Sequence, residues 1–321
     1  MGPACRLSNG RAELRGTAVT DRAAVLNLIS IANANRGGET RNFEVRPIFL
    51  YGAGLAASGL VFSSIGVVSR LMVVHLIGLE ASGTYNASLD LAGQIGGIVA
   101  QSVSSVTEPM IFKSFSQGDM GKVQRDFSRG AELLLAAVIP TTVGLVLVSA
   151  PLIRLLTGEA FQDTLIQLLP WTIVAVAVSN FNHYYLHIAF QMTNRPVFQI
   201  ASGVAQFVLL VASSYVLILW NGVLGAVQAL LITNLLTMLV TATLARRVFP
   251  IPLPWSALLK VSGSALVMTG VVLALPAFPD LPAIELVTKG LTGALVFTTV
   301  ALVLDICRVR SAGLDFVRRR G

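Results

Sequence analysis

Long apolar stretches separated by short polar gaps fill the chain from Pro47 to Ile306. Eight of them reach the roughly 20 residues that a helix needs to cross a ~30 Å hydrocarbon core. They lie at about 48–77, 87–113, 130–153, 164–191, 197–219, 223–245, 255–276 and 284–306. Whole turns are apolar on every side, as in Leu133–Ile139 and Val143–Val148. A helix on the surface of a soluble protein would keep one polar face. The pattern predicts an all-α polytopic membrane protein with about eight transmembrane helices.

The gaps carry their own punctuation. Gly78–Tyr85 reads as a glycine-bounded hairpin, and Ser116–Gly121 opens a loop that runs into the polar, helix-compatible stretch Lys122–Arg129. Trp220-Asn-Gly222 reads as a turn. Pro250, Pro252 and Pro254 forbid a helix between Phe249 and Trp255. Trp171, Trp220 and Trp255 fall near predicted span ends, where indoles anchor at the headgroup level.

Composition agrees: 54% hydrophobic, 12% charged, mean hydropathy +0.75. The net charge of +7 is no sign of nucleic acid, because its placement alternates. One set of gaps carries Arg41, Arg46, Lys113, Lys122, Arg125, Arg129, Arg195, Arg246, Arg247 and the tail from Arg308 to Arg320. The other carries Glu80, Glu159, Asp163, Asp280 and Glu285, with Arg154 and Lys289 as its nearby cations. Cytoplasmic loops hold the Lys and Arg excess, so both termini are expected in the cytoplasm, as an even number of spans requires. Residues 1–46 are a polar cytoplasmic leader, expected to be disordered or foreign to the rest, and 309–321 a basic cytoplasmic tail. Cys5 and Cys307 cannot build a disulfide framework. No nucleotide, dinucleotide, zinc or nucleophile–base motif is present, so neither an enzyme nor a resident cofactor is expected.

Polar residues inside the spans supply the candidate chemistry, since a polar side chain facing lipid is costly. In the second span, Asp90, Gln94, Gln101, Ser105 and Glu108 stay on one helical face through most of the bilayer. Two carboxylates and two amides exceed what helix packing needs, and the face reads as the wall of a hydrated cavity. In the fourth span, Asn180, His183, Tyr184, His187 and Gln191 share another face. The His183–His187 pair lacks a third ligand and reads as hydrogen-bonded imidazoles rather than a metal site. Gln199, Ser202 and Gln206 form a weaker stripe; for Ser202, Gln206 and Ser105 helix–helix packing is the better reading. Arg70 and Asp90 flank the Gly78 hairpin at similar depth. They read as an ion pair, or Arg70 as a phosphate contact, and the two are compatible.

Arg70–Tyr85 resembles the signature D-R-x6-L-G-x4-G-x-Y at the seventh helix of polysaccharide and O-antigen flippases, in the multidrug/oligosaccharidyl-lipid/polysaccharide exporter superfamily. Pro151–Phe161 resembles that family's turn after the ninth helix, and Asn221–Ala226 its entry into the twelfth. Ser69 and Ile77 depart from the signature's Asp and Leu. The resemblance covers about 48–276. It implies a six-helix C-terminal lobe over 47–247, followed by two additional C-terminal helices over 248–308. By this resemblance the chain is one lobe of a flippase for lipid-linked oligosaccharide in a bacterial inner membrane, working by alternating access. The lipid tail would follow a groove near the terminal helices. The implied headgroup-facing residues are Arg70, Asp90, Gln94, Gln101, Glu108, Asn180, His183 and His187. Expected partners are the lipid-linked oligosaccharide, membrane lipids, and a missing N-terminal lobe or a second copy. The alternatives are a lobe of a cation-coupled drug antiporter, with Asp90 or Glu108 on the ion, and a non-transporting membrane partner or remnant.

Overall fold

The computed structural model describes residues 45–252, 254–276, 278 and 281–304, with side chains from Gly52 onward. The leader through residue 44, the basic tail and both cysteines lie outside the described residues. Contacts divide the chain between Leu50 and Tyr51. All that follows concerns the second unit, apart from the opening turn of the first helix.

The described residues fold entirely as helices: α1 (Val45–Leu76), α2 (Leu79–Ser116), α3 (Met120–Leu147), α4 (Ser149–Leu156), α5 (Glu159–Phe181), α6 (Ile188–Met192), α7 (Pro196–Val248), α8 (Trp255–Leu273) and α9 (Pro282–Val303), with a π-helical turn at Asn182–Leu186. Six helical segments are long and apolar enough to cross a membrane. One of these, α7, counts twice, because it is broken at Gly222 and doubles back. The 38-residue α2 is long enough, but its polar stripe keeps it outside that set.

Several boundaries differ from the sequence pattern. The expected hairpin at Gly78–Tyr85 shrinks to Gly78, which takes φ 126°, and α2 starts at Leu79 with Glu80 in its first turn. That carboxylate suits the positive end of the helix dipole. The Lys122–Arg129 stretch is the start of α3, whose first turn is capped by Asp119 accepting from the Lys122 amide at 2.9 Å. The third apolar stretch splits at Val148 (φ −102°, ψ 8°), and a short α4 follows. Pro151 suits the break: it has no N–H to offer the Leu147 carbonyl, a loss that costs least in the first turn of a new helix. In the fourth stretch the amide of His187 bonds back five residues to the Asn182 carbonyl, at 3.2 Å, making the π turn.

Gly222 has φ 57° and ψ −136°, which a side chain would oppose. Beyond it the two arms of α7, 196–221 and 223–248, run antiparallel, joined by Ser213–Thr233 at 2.9 Å and Gln206–Asn234 at 2.9 Å. The reversal is so tight that a Cβ on Gly225 would lie 1.9 Å from the Leu217 carbonyl oxygen.

α2 packs against α3 and α5, α5 against α7, and α8 and α9 pair with each other against α3 and α4. Between bilayer-spanning helices dispersion and buried hydrogen bonds hold the contacts, since lipid is as apolar as leucine. One core joins Phe127, Tyr185, Phe190 and Phe249. Phe127 and Phe249 stack at 5.4 Å, and the Tyr185 hydroxyl donates to the Pro252 carbonyl. A second joins Val73 and Tyr85 to Leu168 and Val227, and a third Ala92 to Ile153, Leu165 and Leu169.

Candidate functional site

The α2 face is built by helical spacing alone, and the structure leaves most of it open. Asp90, Gln94, Gln101 and Ser105 are exposed, and Glu108 is half-buried. Arg70, near the end of α1, closes on Asp90: its Nη2 donates to Oδ1 at 2.9 Å, with both side chains about half exposed. The ion pair therefore forms on the open face and does not retire into the core. Gln94 and Gln101 have no hydrogen-bond partner among the described residues. Ser105 differs from its expected packing role, for it is exposed and donates to the Ser102 carbonyl at 2.8 Å. Glu108 accepts from Ser104 one turn earlier and acts electrostatically on His183 and Tyr184.

α5 brings its polar residues alongside. A Cβ on Gly96 would sit 3.3 Å from Asn180 Nδ2, so α2 and α5 approach closely because Gly96 has no side chain. Asn180 Nδ2 has no partner among the described residues. It borders a void of about 10 Å³, about the volume that holds one water. His183 is exposed and meets the Phe62 ring edge-on at 6.4 Å. His187 is only 1% exposed and lies 3.4 Å from the Ser202 hydroxyl through Nε2. Of the eight candidate residues, the structure thus sets seven along neighbouring faces of α1, α2, α5 and the π turn that follows α5. It turns the eighth, His187, toward α7. Among the described residues no group of three His, Cys, Asp or Glu could hold a metal ion.

Sequence reasoning missed a second polar system. Asn234 takes a hydrogen from Gln206 and gives one to the Ala175 carbonyl, both at 2.9 Å, tying both arms of α7 to α5. It also missed the pairing of Glu285 with Lys289, at 2.5 Å, although i,i+4 opposite charges in an apolar stretch are a legible signal. Lys289 lines a groove of about 370 Å³ enclosed by α3, α8 and α9 with Ile95 of α2. Its other walls are mainly apolar: Leu145, Met268, Val272 and Phe297.

The sequence matches the family model of polysaccharide biosynthesis proteins over residues 23–166, a stretch that starts within the polar leader. None of the curated proteins matches it. Among solved structures, a lipid II flippase, MurJ in an inward closed conformation, superposes with a TM-score of 0.65 at 17% identity. The match covers 76% of this chain and 51% of that one. The family match points to polysaccharide biosynthesis and the structural match to a flippase fold. The chain shares its fold with part of that lipid II flippase and spans about half of its length.

Proposed function

We propose that the chain forms one lobe of an inner-membrane flippase for polyprenyl-diphosphate-linked oligosaccharide, with both termini in the cytoplasm. The observation that carries this reading is the open polar face of α2. From Asp90 to Glu108 it extends through 18 residues, about 27 Å of helix rise, in a molecule otherwise clad in apolar side chains. A face of amides, with one guanidinium–carboxylate pair, suits the hydroxyls and charge of a glycan headgroup better than a lipophilic drug. Exposed charge at that depth is costly against lipid, so the face lines water and opposes a second lobe. The half-length match to a lipid II flippase supports the same arrangement. Alternating access would follow from rocking of the two lobes.

The test is cysteine scanning in membranes. Cysteines at Gln94, Gln101 and His183 should react with a water-soluble thiol reagent, whereas cysteines at Leu60 and Leu239 should not. Equal reactivity on all faces would remove the cavity. Export by this chain alone, as a monomer, would remove the second lobe.

A further inference from the structure

We infer that the groove between α3, α8 and α9 holds an anionic phospholipid of the surrounding bilayer, with its phosphate on Lys289. The argument starts from hydrogen-bond capacity. A lysine ammonium carries three N–H donors and accepts nothing. Among the described residues Lys289 has one hydrogen-bond partner, Oε1 of Glu285 at 2.5 Å. The other carboxylate oxygen is already taken by the Phe278 amide, at 3.3 Å. Two ammonium donors therefore remain where Lys289 is 15% exposed and lines a mainly apolar groove. Unmet donors of a desolvated cation are costly, and an oxygen-rich anion at the groove mouth satisfies them.

Charge selects the class of lipid. Arg154 is exposed and acts electrostatically on Glu285, so among the described residues the group of Arg154, Glu285 and Lys289 keeps one net positive charge. That complements a phosphodiester with a single negative charge; a zwitterionic headgroup brings no net charge, and a diphosphate brings more than one. Shape selects an acyl chain. From Lys289 the lining continues along α9 through Gly290 and Gly293 to Phe297 and Thr298, about 14 Å of helix rise. Gly290 leaves space beside α9, for a Cβ there would meet nothing within 4 Å, whereas Gly293 lets α9 pack against Val272 and Met268 of α8. This site stands on its own geometry and does not require that the chain flips anything.

The experiment uses the full chain purified in mild detergent, with phosphatidylglycerol and phosphatidylcholine compared by native mass spectrometry and thermal unfolding. Phosphatidylglycerol should be retained about fivefold better, as expected for roughly 1 kcal/mol per basic residue near an anionic surface. The triple variant Arg154→Gln, Glu285→Gln, Lys289→Gln removes the whole charged group without stranding any member, and it should lose that preference. Gly290→Leu keeps the charges but blocks the chain, and it should lower retention of both lipids. Equal retention of the two lipids by the parent chain overturns the site. So does a preference that survives in the triple variant. Equal stabilisation by inorganic phosphate overturns the lipid as its occupant. Because the readout is lipid retention, failure of the flippase reading leaves the result interpretable.

Discussion

Two polar stripes of similar composition meet opposite fates in this molecule. Along α7, Gln206, Ser213, Thr233 and Asn234 find partners inside the lobe, and Asn234 spans from one arm of the hairpin to the backbone of α5. Along α2, Gln94 and Gln101 find none among the described residues, and Asp90 is matched only by Arg70 on the same open face. Amides that close on each other act as glue between helices. Amides left open await water, a ligand or another protein surface. The difference lies in neighbours and not in residue type, and it marks the α2 face as the one left open among the described residues.

The comparison breaks first on function. Replacing Asp90, Gln94 and Gln101 together by leucine should abolish oligosaccharide export in a complementation assay with the partner lobe supplied, while membrane accumulation and unfolding temperature stay unchanged. Wild-type export from that variant would strip the stripe of its role. Asn234→Leu should do the reverse, costing about 1–3 kcal/mol of stability by stranding the Gln206 amide and the Ala175 carbonyl, read by unfolding in detergent. A silent Asn234 would make the α7 seam as loosely coupled as the α2 face. Gly222→Ala tests the hairpin that brings the seam together. A side chain at φ 57° should cost about 1–2 kcal/mol, and an unchanged melting temperature would show that the turn is not held as described. The smallest effect expected is from Asp90→Asn. If the face is hydrated, breaking an exposed pair costs less than about 1 kcal/mol. If it faces lipid, the stranded Arg70 costs on the order of 2.5–3.5 kcal/mol. A loss of the larger size would place the α2 face against the bilayer.

The second stripe also shows where sequence reading stopped. Gln206 could be assigned to packing by its type and spacing, and the structure buries it. Its partner could not be named, because Asn234 is 28 residues away across a reversal whose tightness depends on Gly222 and Gly225. His187 shares a helical face with Asn180 and His183 in an ideal helix. The π turn at Asn182–Leu186 adds a residue to that turn, and His187 ends against Ser202 of α7. Ser105 follows the α2 stripe, since its exposure comes from what is absent beside it.

By itself the sequence determined that this is a polytopic helical membrane protein, where its apolar stretches lie, and which α2 residues share a face. Those are local properties: the hydrophobic thickness of a bilayer and the 3.6-residue turn act on consecutive residues. The Arg70–Asp90 pair was legible for the same reason, because both residues flank one short turn. Tertiary structure alone decided which polar residues are satisfied, that α2 and α5 meet at Gly96, and that Lys289 borders a groove formed with α3 and α8. Each of these depends on helices distant in sequence approaching to within a few ångströms, and no period along the chain encodes that approach.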